Sequence, residues 1–381
     1  VSMTPPDGLG YCSCDRCKKV AGVVEVFDDK GSLFGKRADG ALVNVTSETV
    51  FTLVNEVAEA LRDKGSTTHV GCYAYSAYSH PPSFKLAPNV YLQTTTAYRR
   101  TPLSLPEQLA AFGDKTEQLG IREYYSVYQW DWDYPDPGKL TPDQLAADLK
   151  LFHDSGVTAI NAEASNNWAP RGLGYYLAAQ LMWNVDADAG ALLRDFYDTA
   201  FGPAAAPMER YYVRWGGPNV AVSPALAKTP ERTLYFEKGK HNLDALRAAY
   251  ADLEEAIALA GGDPAITARI DHLRMYQHYL LLRYDLQTAV AAKDNAAKNN
   301  DAIIAAVGAE TTFGGRLTYT NMIHTRPLLG KAFLRRFRQQ ETLLADLPQA
   351  QAKGPWRQIG APPDHAELDR IWEDDKRRMK W

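Results

Sequence analysis

Long hydrophobic runs are missing from this sequence: no stretch approaches the roughly 18 consecutive apolar residues of a membrane-spanning helix. A membrane-embedded protein is therefore not expected. Charge of one sign is missing too. The 42 basic and 46 acidic residues nearly cancel to a net charge of −4 and are spread along the chain, so nothing here would steer a phosphate backbone. Nucleic acid is not an expected partner. Repeats of fixed period and low-complexity tracts are absent. Cysteine is scarce, and three of the four cysteines crowd into Cys12-x-Cys14-x-x-Cys17, with Cys72 far away. That spacing suits a metal site on Cys12, Cys14 and Cys17, a disulfide within the loop, or simple thiols. A metal is the weaker reading, none of the three is catalytic, and no cofactor is expected.

There is no initiator Met and no signal peptide at the start. Val1-Ser2-Met3 reads as the end of a buried strand running into the turn Thr4-Pro5-Pro6-Asp7-Gly8. The expectation is a chain truncated or processed upstream, with part of its fold missing.

What is present is a globular composition, 45% apolar and 23% charged, with a length sufficient for two domains. The first half alternates strand and helix signals. Asp28-Asp29-Lys30-Gly31 is a hairpin turn between Val23–Phe27 and Ser32–Phe34. Val50, Leu53, Val54, Val57 and Leu61 recur at helical spacing after Ser47, read as the N-cap, and Gly65 closes that helix. Strand-like segments follow at 69–75, 89–95, 121–128 and 157–164. Between them lie a capping box, Ser104-x-x-Glu107, opening a helix that ends near Gly120, and a Thr141-Pro142 helix start closed by Gly156. A further helix is read from about Leu173 to Trp183. With the strand near 1–4, these five units fit β4 to β8 of a (β/α)8 barrel, a fold that takes about 250 residues. A short doubly wound sheet is the alternative.

Beyond about 190 the pattern is helical only. Leu243, Leu246, Tyr250, Leu253 and Ile257, then Ile266, Ile270, Leu273, Leu280 and Tyr284, mark two helices broken at Gly261-Gly262-Asp263-Pro264. More helices are expected near 297–308 and 326–345. The expected organisation is a partial barrel over 1–190, a helical domain over 191–354 and a surface tail over 355–381. His272 and His278 read as packing or surface residues. Asn44-Val45-Thr46 matches a glycosylation sequon but reads as the approach to a helix.

In a (β/α)8 barrel the working residues follow the C-terminal ends of the strands. That rule selects Asp7; Tyr75, Tyr78 and His80; Tyr98, Arg99 and Arg100; Tyr128, Trp130, Asp131, Trp132, Asp133 and Tyr134; and Glu163, Asn166, Asn167 and Trp168. Glycoside hydrolysis requires two carboxyl groups flanking one bond. Asp7, Glu163 and Asp131 are the catalytic candidates. Glu163 stands out because an acid at the end of an apolar strand is costly without a partner or a task. Tyr75, His80, Tyr128, Trp130, Trp132, Asp133, Asn166, Asn167 and Trp168 would line the sugar, with aromatic faces for rings and polar groups for hydroxyls. Arg99 and Arg100 would hold the carboxylate of an acidic sugar or pair with nearby acids.

The stretch Pro6-Asp7-Gly8-x-Gly10-Tyr11-Cys12-x-Cys14-x-x-Cys17 resembles the family known as domain of unknown function 4838. So do Asn55-Glu56-Val57-Ala58, Ala74-Tyr75-Ser76, Pro81-Pro82, Asn89-Val90, Tyr176–Asn184, Asp195-Phe196 and Phe201-Gly202. The resemblance covers roughly residues 1 to 216. It implies a barrel grouped with glycoside hydrolases, similar to α-glucuronidase and β-hexosaminidase barrels, and found mostly in bacteria that degrade polysaccharides. In that family the Asp-Gly element lies mid-domain, in keeping with the expected truncation. No single activity carries over. The expected function is hydrolysis of an oligo- or polysaccharide by a secreted or periplasmic enzyme. The alternatives are a carbohydrate-binding protein on a non-catalytic barrel and an interaction module centred on the helices.

Overall fold

The computed structural model of the chain describes residues 1–5, 10–29, 32–125, 141–164, 168–216, 220–228, 236–237, 240–241, 243–291, 296–317, 319–323 and 360–380. Asp7, Tyr128, Trp130, Asp131, Trp132, Asp133, Tyr134, Asn166 and Asn167 lie outside the described residues, as does the helix expected near 326–345. The chain divides into two compact units, residues 1–125 with 148–163 and residues 126–147 with 164–381.

The first unit opens with α1 (Asp15–Ala21), an antiparallel sheet of β1 (Val23–Asp29), β2 (Ser32–Arg37) and β3 (Leu42–Asn44), and α2 (Val45–Asp63). The expected hairpin is there, with Asp29 opposite Ser32 across the turn. Helix α2 starts earlier than its apolar periodicity indicates. Asn44, not Ser47, is its N-cap, and its side chain accepts from the Ser47 amide at 2.8 Å. The Asn44 side chain is thus fully buried in a structural bond, which removes the sequon as a modification site. Gly65, at φ 76°, supplies the left-handed turn after the helix.

Then follow β4 (Val70–Ser76), β5 (Val90–Arg99), α3 (Leu105–Gly113), β6 (Leu119–Tyr124), α4 (Pro142–Asp154) and β7 (Val157–Glu163). The four strands form one parallel sheet in the order β4-β5-β6-β7. Ser2 adds a parallel bridge to Gly71 on the free side of β4. The capping box holds α3, with the Glu107 carboxylate accepting from the Ser104 amide at 2.7 Å. That helix ends at Gly113, short of Gly120, which belongs to β6. Gly120 is there for space: a Cβ would stand 2.6 Å from the Tyr91 hydroxyl oxygen. The coarse expectation of a mixed α/β fold with parallel strands followed by helices holds.

The sheet has two unlike faces because side chains alternate along each strand. Val70, Cys72, Ala74, Val90, Leu92, Leu119 and Ile121 are buried on one face. Helix α2 packs on β4 and β5, and Phe51 of α2 meets Phe112 of α3 edge to face at 6.2 Å. The family-like asparagines serve this layer. Asn55 accepts from the Ala87 amide and donates to the Lys85 carbonyl, while Asn89 donates to the Ala58 carbonyl. The other face carries Tyr73, Tyr75, Tyr91, Gln93, Arg122, Tyr124, Asn161 and Glu163, and is only partly covered.

The second unit is nearly all helical. It contains α5 (Trp168–Trp183), α6 (Ala189–Phe201), a 3-10 turn (Gly202–Ala204), α7 (Ala205–Gly216), α8 (Pro224–Ala227) and a small hairpin of β8 (Phe236–Glu237) and β9 (Lys240–His241). After these come α9 (Leu243–Ala260), α10 (Pro264–Ala291), α11 (Ala296–Arg316) and α12 (His365–Arg378). The expected break between two long helices falls at Gly261 and Gly262, both at positive φ. Within the segment expected as a surface tail over 355–381, residues 365–378 form α12, which packs on α10 and buries Leu368, Trp372 and Asp375. The reason is its amphipathic spacing, hidden under a strongly charged composition. His278 is a packing residue as expected: its Nδ1 lies 2.6 Å from Asp375, and its ring meets Phe313 edge-on at 4.5 Å.

Candidate functional site

Residues two apart on a strand leave the same face, and parallel register sets them beside their counterparts on the next strand. Tyr73 and Tyr75, Arg122 and Tyr124, and Asn161 and Glu163 are three such pairs. Arg122 is level with Asn161 and Tyr124 with Glu163. The result is a polar, tyrosine-rich surface at the C-terminal end of the sheet, all within the first unit.

Glu163 lies in an ion pair there. Its Oε2 is 2.7 Å from Arg122 Nη2, with about a third of the acid side chain exposed (36%). Arg122 also donates through Nη1 to Asn161 Oδ1 at 3.2 Å, and the Asn161 amide donates to the Tyr73 hydroxyl at 3.3 Å. The guanidinium lies over the rings of Tyr124, at 5.4 Å, and Tyr73, at 5.9 Å. Arg122 therefore ties Glu163 to the aromatic surface around it.

The tyrosines form a continuous line. Tyr11 meets Tyr78 edge-on at 5.8 Å, Tyr78 meets Tyr75 at 6.4 Å, Tyr75 meets Tyr98 at 6.2 Å, and Tyr98 meets Tyr124 at 5.3 Å. Edge-to-face contacts are the arrangement the ring quadrupoles prefer. Tyr98 is the exposed member, whereas burial pushes the Tyr124 phenol well above its usual range. Two strand-end residues hold left-handed backbone, Ser76 at φ 46° and Tyr98 at φ 57°. A tyrosine there carries a steric cost, and such strain concentrates at functional surfaces.

One residue out of phase, Glu123 leaves the opposite face. It accepts from Thr96 Oγ1 and from the Tyr124 amide, and burial, with Asp148 of α4 adding to it, raises its pKa. It is a second carboxyl at this end of the sheet, but it is committed to the fold.

Of the residues singled out from sequence, Tyr75 and Glu163 belong to the polar surface, with Tyr78 and Tyr98 in its aromatic line. His80 and Arg99 are placed in structural bonds. His80 Nδ1 is 2.9 Å from Thr101 Oγ1, its ring packs against Phe34, and burial lowers its pKa. Arg99 donates to the Leu103 carbonyl at 3.1 Å and to Gln108 Oε1 at 2.8 Å, fixing the turn into α3. The backbone of Arg100 is held by Ser79 and Ser32. Trp168 starts α5 in the second unit, where its ring meets Tyr175 at 5.1 Å. Arg122, Tyr73, Tyr124 and Asn161 are not among the sequence candidates: two-residue spacing from Tyr75 and Glu163 marks Tyr73 and Asn161, whereas Arg122 and Tyr124 reach this surface only through the register of β6 against β7.

All four cysteines are free thiols. The Sγ atoms of Cys12, Cys14 and Cys17 lie within 4.8 Å of one another, with Cys14 and Cys17 at 3.9 Å. Hydrogen bonds, first from the Cys17 backbone, bring Cys14 down to about 7, while burial first of all pushes Cys17 up to about 11. Cys72 is buried on the apolar face, its thiol raised to about 12 by burial and donating to the Tyr73 carbonyl at 3.3 Å. It takes no part in the cluster.

A family model described as "Domain of unknown function (DUF4838)" matches residues 1–214, more than half the chain. No curated protein and no solved structure matches.

Proposed function

The chain belongs to the DUF4838 family, and from that premise we propose that its first unit carries the last five strands of a (β/α)8 barrel, whose strand ends bind and hydrolyse carbohydrate. Strand order supports the barrel. Ser2, β4, β5, β6 and β7 are neighbours in chain order, whereas a doubly wound sheet reverses its order at a switch point. Helices pack on the apolar face, as on the outside of a barrel wall, and the polar groups and tyrosines of the other face gather at the C-terminal strand ends, where barrel sites are built.

The observation that carries the functional reading is the Glu163–Arg122 pair set among Tyr73, Tyr98 and Tyr124 at the C-terminal strand ends. Tyrosine faces suit sugar rings, and the polar groups suit hydroxyls. An ion-paired carboxylate suits the nucleophile or base role, as the partner of Asp7 in the role of general acid. An acidic sugar would meet Arg122 in place of Arg99. A substrate of polysaccharide size would put the working protein outside the cell or in the periplasm.

Binding without cleavage is the second reading. Among the described residues, Glu163 is the one carboxylate on this surface that is open to solvent, Glu123 being committed elsewhere. The helices are less suited to be the working surface: among described residues of 243–323, the large apolar side chains exposed are Leu259 and Tyr319, well short of a continuous face. The test is a screen of the full protein against neutral, uronic and sialic glycosides, followed by Glu163→Gln. A rate loss of about 100-fold or more supports the catalytic role. Turnover by the parent that survives undiminished in the variant contradicts it.

A further inference from the structure

The Cys12-x-Cys14-x-x-Cys17 cluster stands apart from the carbohydrate surface in chemistry. The three cysteines fall within one short stretch of chain, and the local backbone turns their sulfurs together, with every Sγ–Sγ separation 4.8 Å or less. Two thiolates on a tetrahedral zinc, each bonded at about 2.3 Å, stand about 3.8 Å apart. Cys14 and Cys17, at 3.9 Å, already have that spacing. The remaining sulfur needs to move by no more than about 1 Å to close the triangle. A disulfide asks for much more, because its sulfurs bond at about 2.05 Å.

The backbone is arranged for such a site. Cys14 is the N-cap of α1 with extended φ and ψ, and Cys17 is on the first turn of that helix, so the x-x spacing folds the two sulfurs to one side. Cys12 approaches from the preceding loop. Soft thiolates select zinc over hard cations such as magnesium or calcium.

We propose that Cys12, Cys14 and Cys17 bind one zinc ion through three thiolates, with a solvent oxygen as the fourth ligand. As each S–Zn bond forms, the thiol proton passes to solvent, and the metal stays in its divalent state throughout. Among the described residues no fourth protein ligand joins the cluster. The ion acts as a clip. Cys12 follows Tyr11, whose ring packs on Tyr78 at the end of the tyrosine line, and α1 packs on α2. Zinc thereby fastens the loop bearing Tyr11 to the helical layer behind the sheet. The site does not depend on what the sheet surface binds.

The test uses the full chain, reduced and purified without oxygen. Zinc is titrated against a chromophoric chelator, and cobalt is substituted as a spectroscopic probe. One zinc per chain is expected, with thiolate-to-cobalt charge-transfer absorption in the near ultraviolet. Cys12→Ser, Cys14→Ser and Cys17→Ser should each weaken zinc binding on the order of 100-fold. Cys72→Ala should leave it unchanged, and circular dichroism of each variant verifies folding. Two results overturn the proposal: no zinc uptake by the folded, reduced parent, or uptake that survives in the triple serine variant.

Discussion

At the scale of single residues, the polar sheet face depends on close fits that leave little slack. Gly120 gives way to the Tyr91 ring, whose hydroxyl is buried without a hydrogen-bond partner among the described residues. Gly120→Ala should therefore destabilise the fold by about 1–3 kcal/mol in chemical denaturation. Tyr91→Phe, which removes the nearest clashing atom and an unsatisfied hydroxyl, should recover part of that loss. A Gly120→Ala protein as stable as the parent would mean the two strands are spaced differently.

His80 gives a residue-scale prediction in pH. Burial lowers its folded pKa below the ordinary 6.5, so the unfolded chain takes up a proton before the folded one does. The contribution of a neutral, buried His80 is complete above the unfolded value and is lost as pH falls toward the folded value. Against a His80→Gln variant, the parent's advantage in melting temperature should shrink between pH 7 and about pH 5. His272, also lowered by burial, is common to both proteins and cancels in the comparison.

Elements show where sequence was sufficient and where it was not. Helix α3 and the start of α4 were legible because capping boxes and N1 prolines act within four residues. The parallel sheet was legible because β/α alternation with short loops leaves few other arrangements. The start of α2 was not. Ser47 and Asn44 are both good N-caps, and the choice fell to burial against the β1-to-β3 sheet, which a local reading does not contain. Asn44→Ala should accordingly cost about 1–2 kcal/mol in urea unfolding, while Asn44→Asp, which keeps the acceptor, should cost less. Equal losses would mean that Asn44 matters for volume and not for its cap bond.

The same limit explains the partial reading of the site. Strand-end position found Tyr75 and Glu163 but also His80 and Arg99, which serve loop geometry. Only the register between strands separates these classes. It sets Arg122 beside Asn161 and brings its guanidinium within 2.7 Å of Glu163, a pairing that no single segment encodes.

On the scale of the whole molecule, the C-terminal segment is integral to the helical unit. Trp372 stacks on Tyr250 at 3.8 Å between ring centres, Arg274 lies over its indole at 4.9 Å, and Asp375 accepts from the Tyr250 hydroxyl at 2.6 Å. Its charged composition led to the expectation of a tail, because charge density says little about a narrow apolar stripe. Trp372→Ala should lower stability by about 3–5 kcal/mol, seen as a lower melting transition. A variant that melts with the parent would leave α12 peripheral after all.

Under the proposed function, carbohydrate binds on the tyrosine-lined polar face of the parallel sheet. Hydrogen exchange of the full protein, with and without a saturating oligosaccharide from the glycoside screen, tests it most directly. The expected result is slowed exchange of backbone amides at 73–76, 97–100, 122–125 and 161–163, where the strand ends and their tyrosines meet the ligand. Protection confined to the helices of 243–316, with these four strand ends unchanged, would contradict the account.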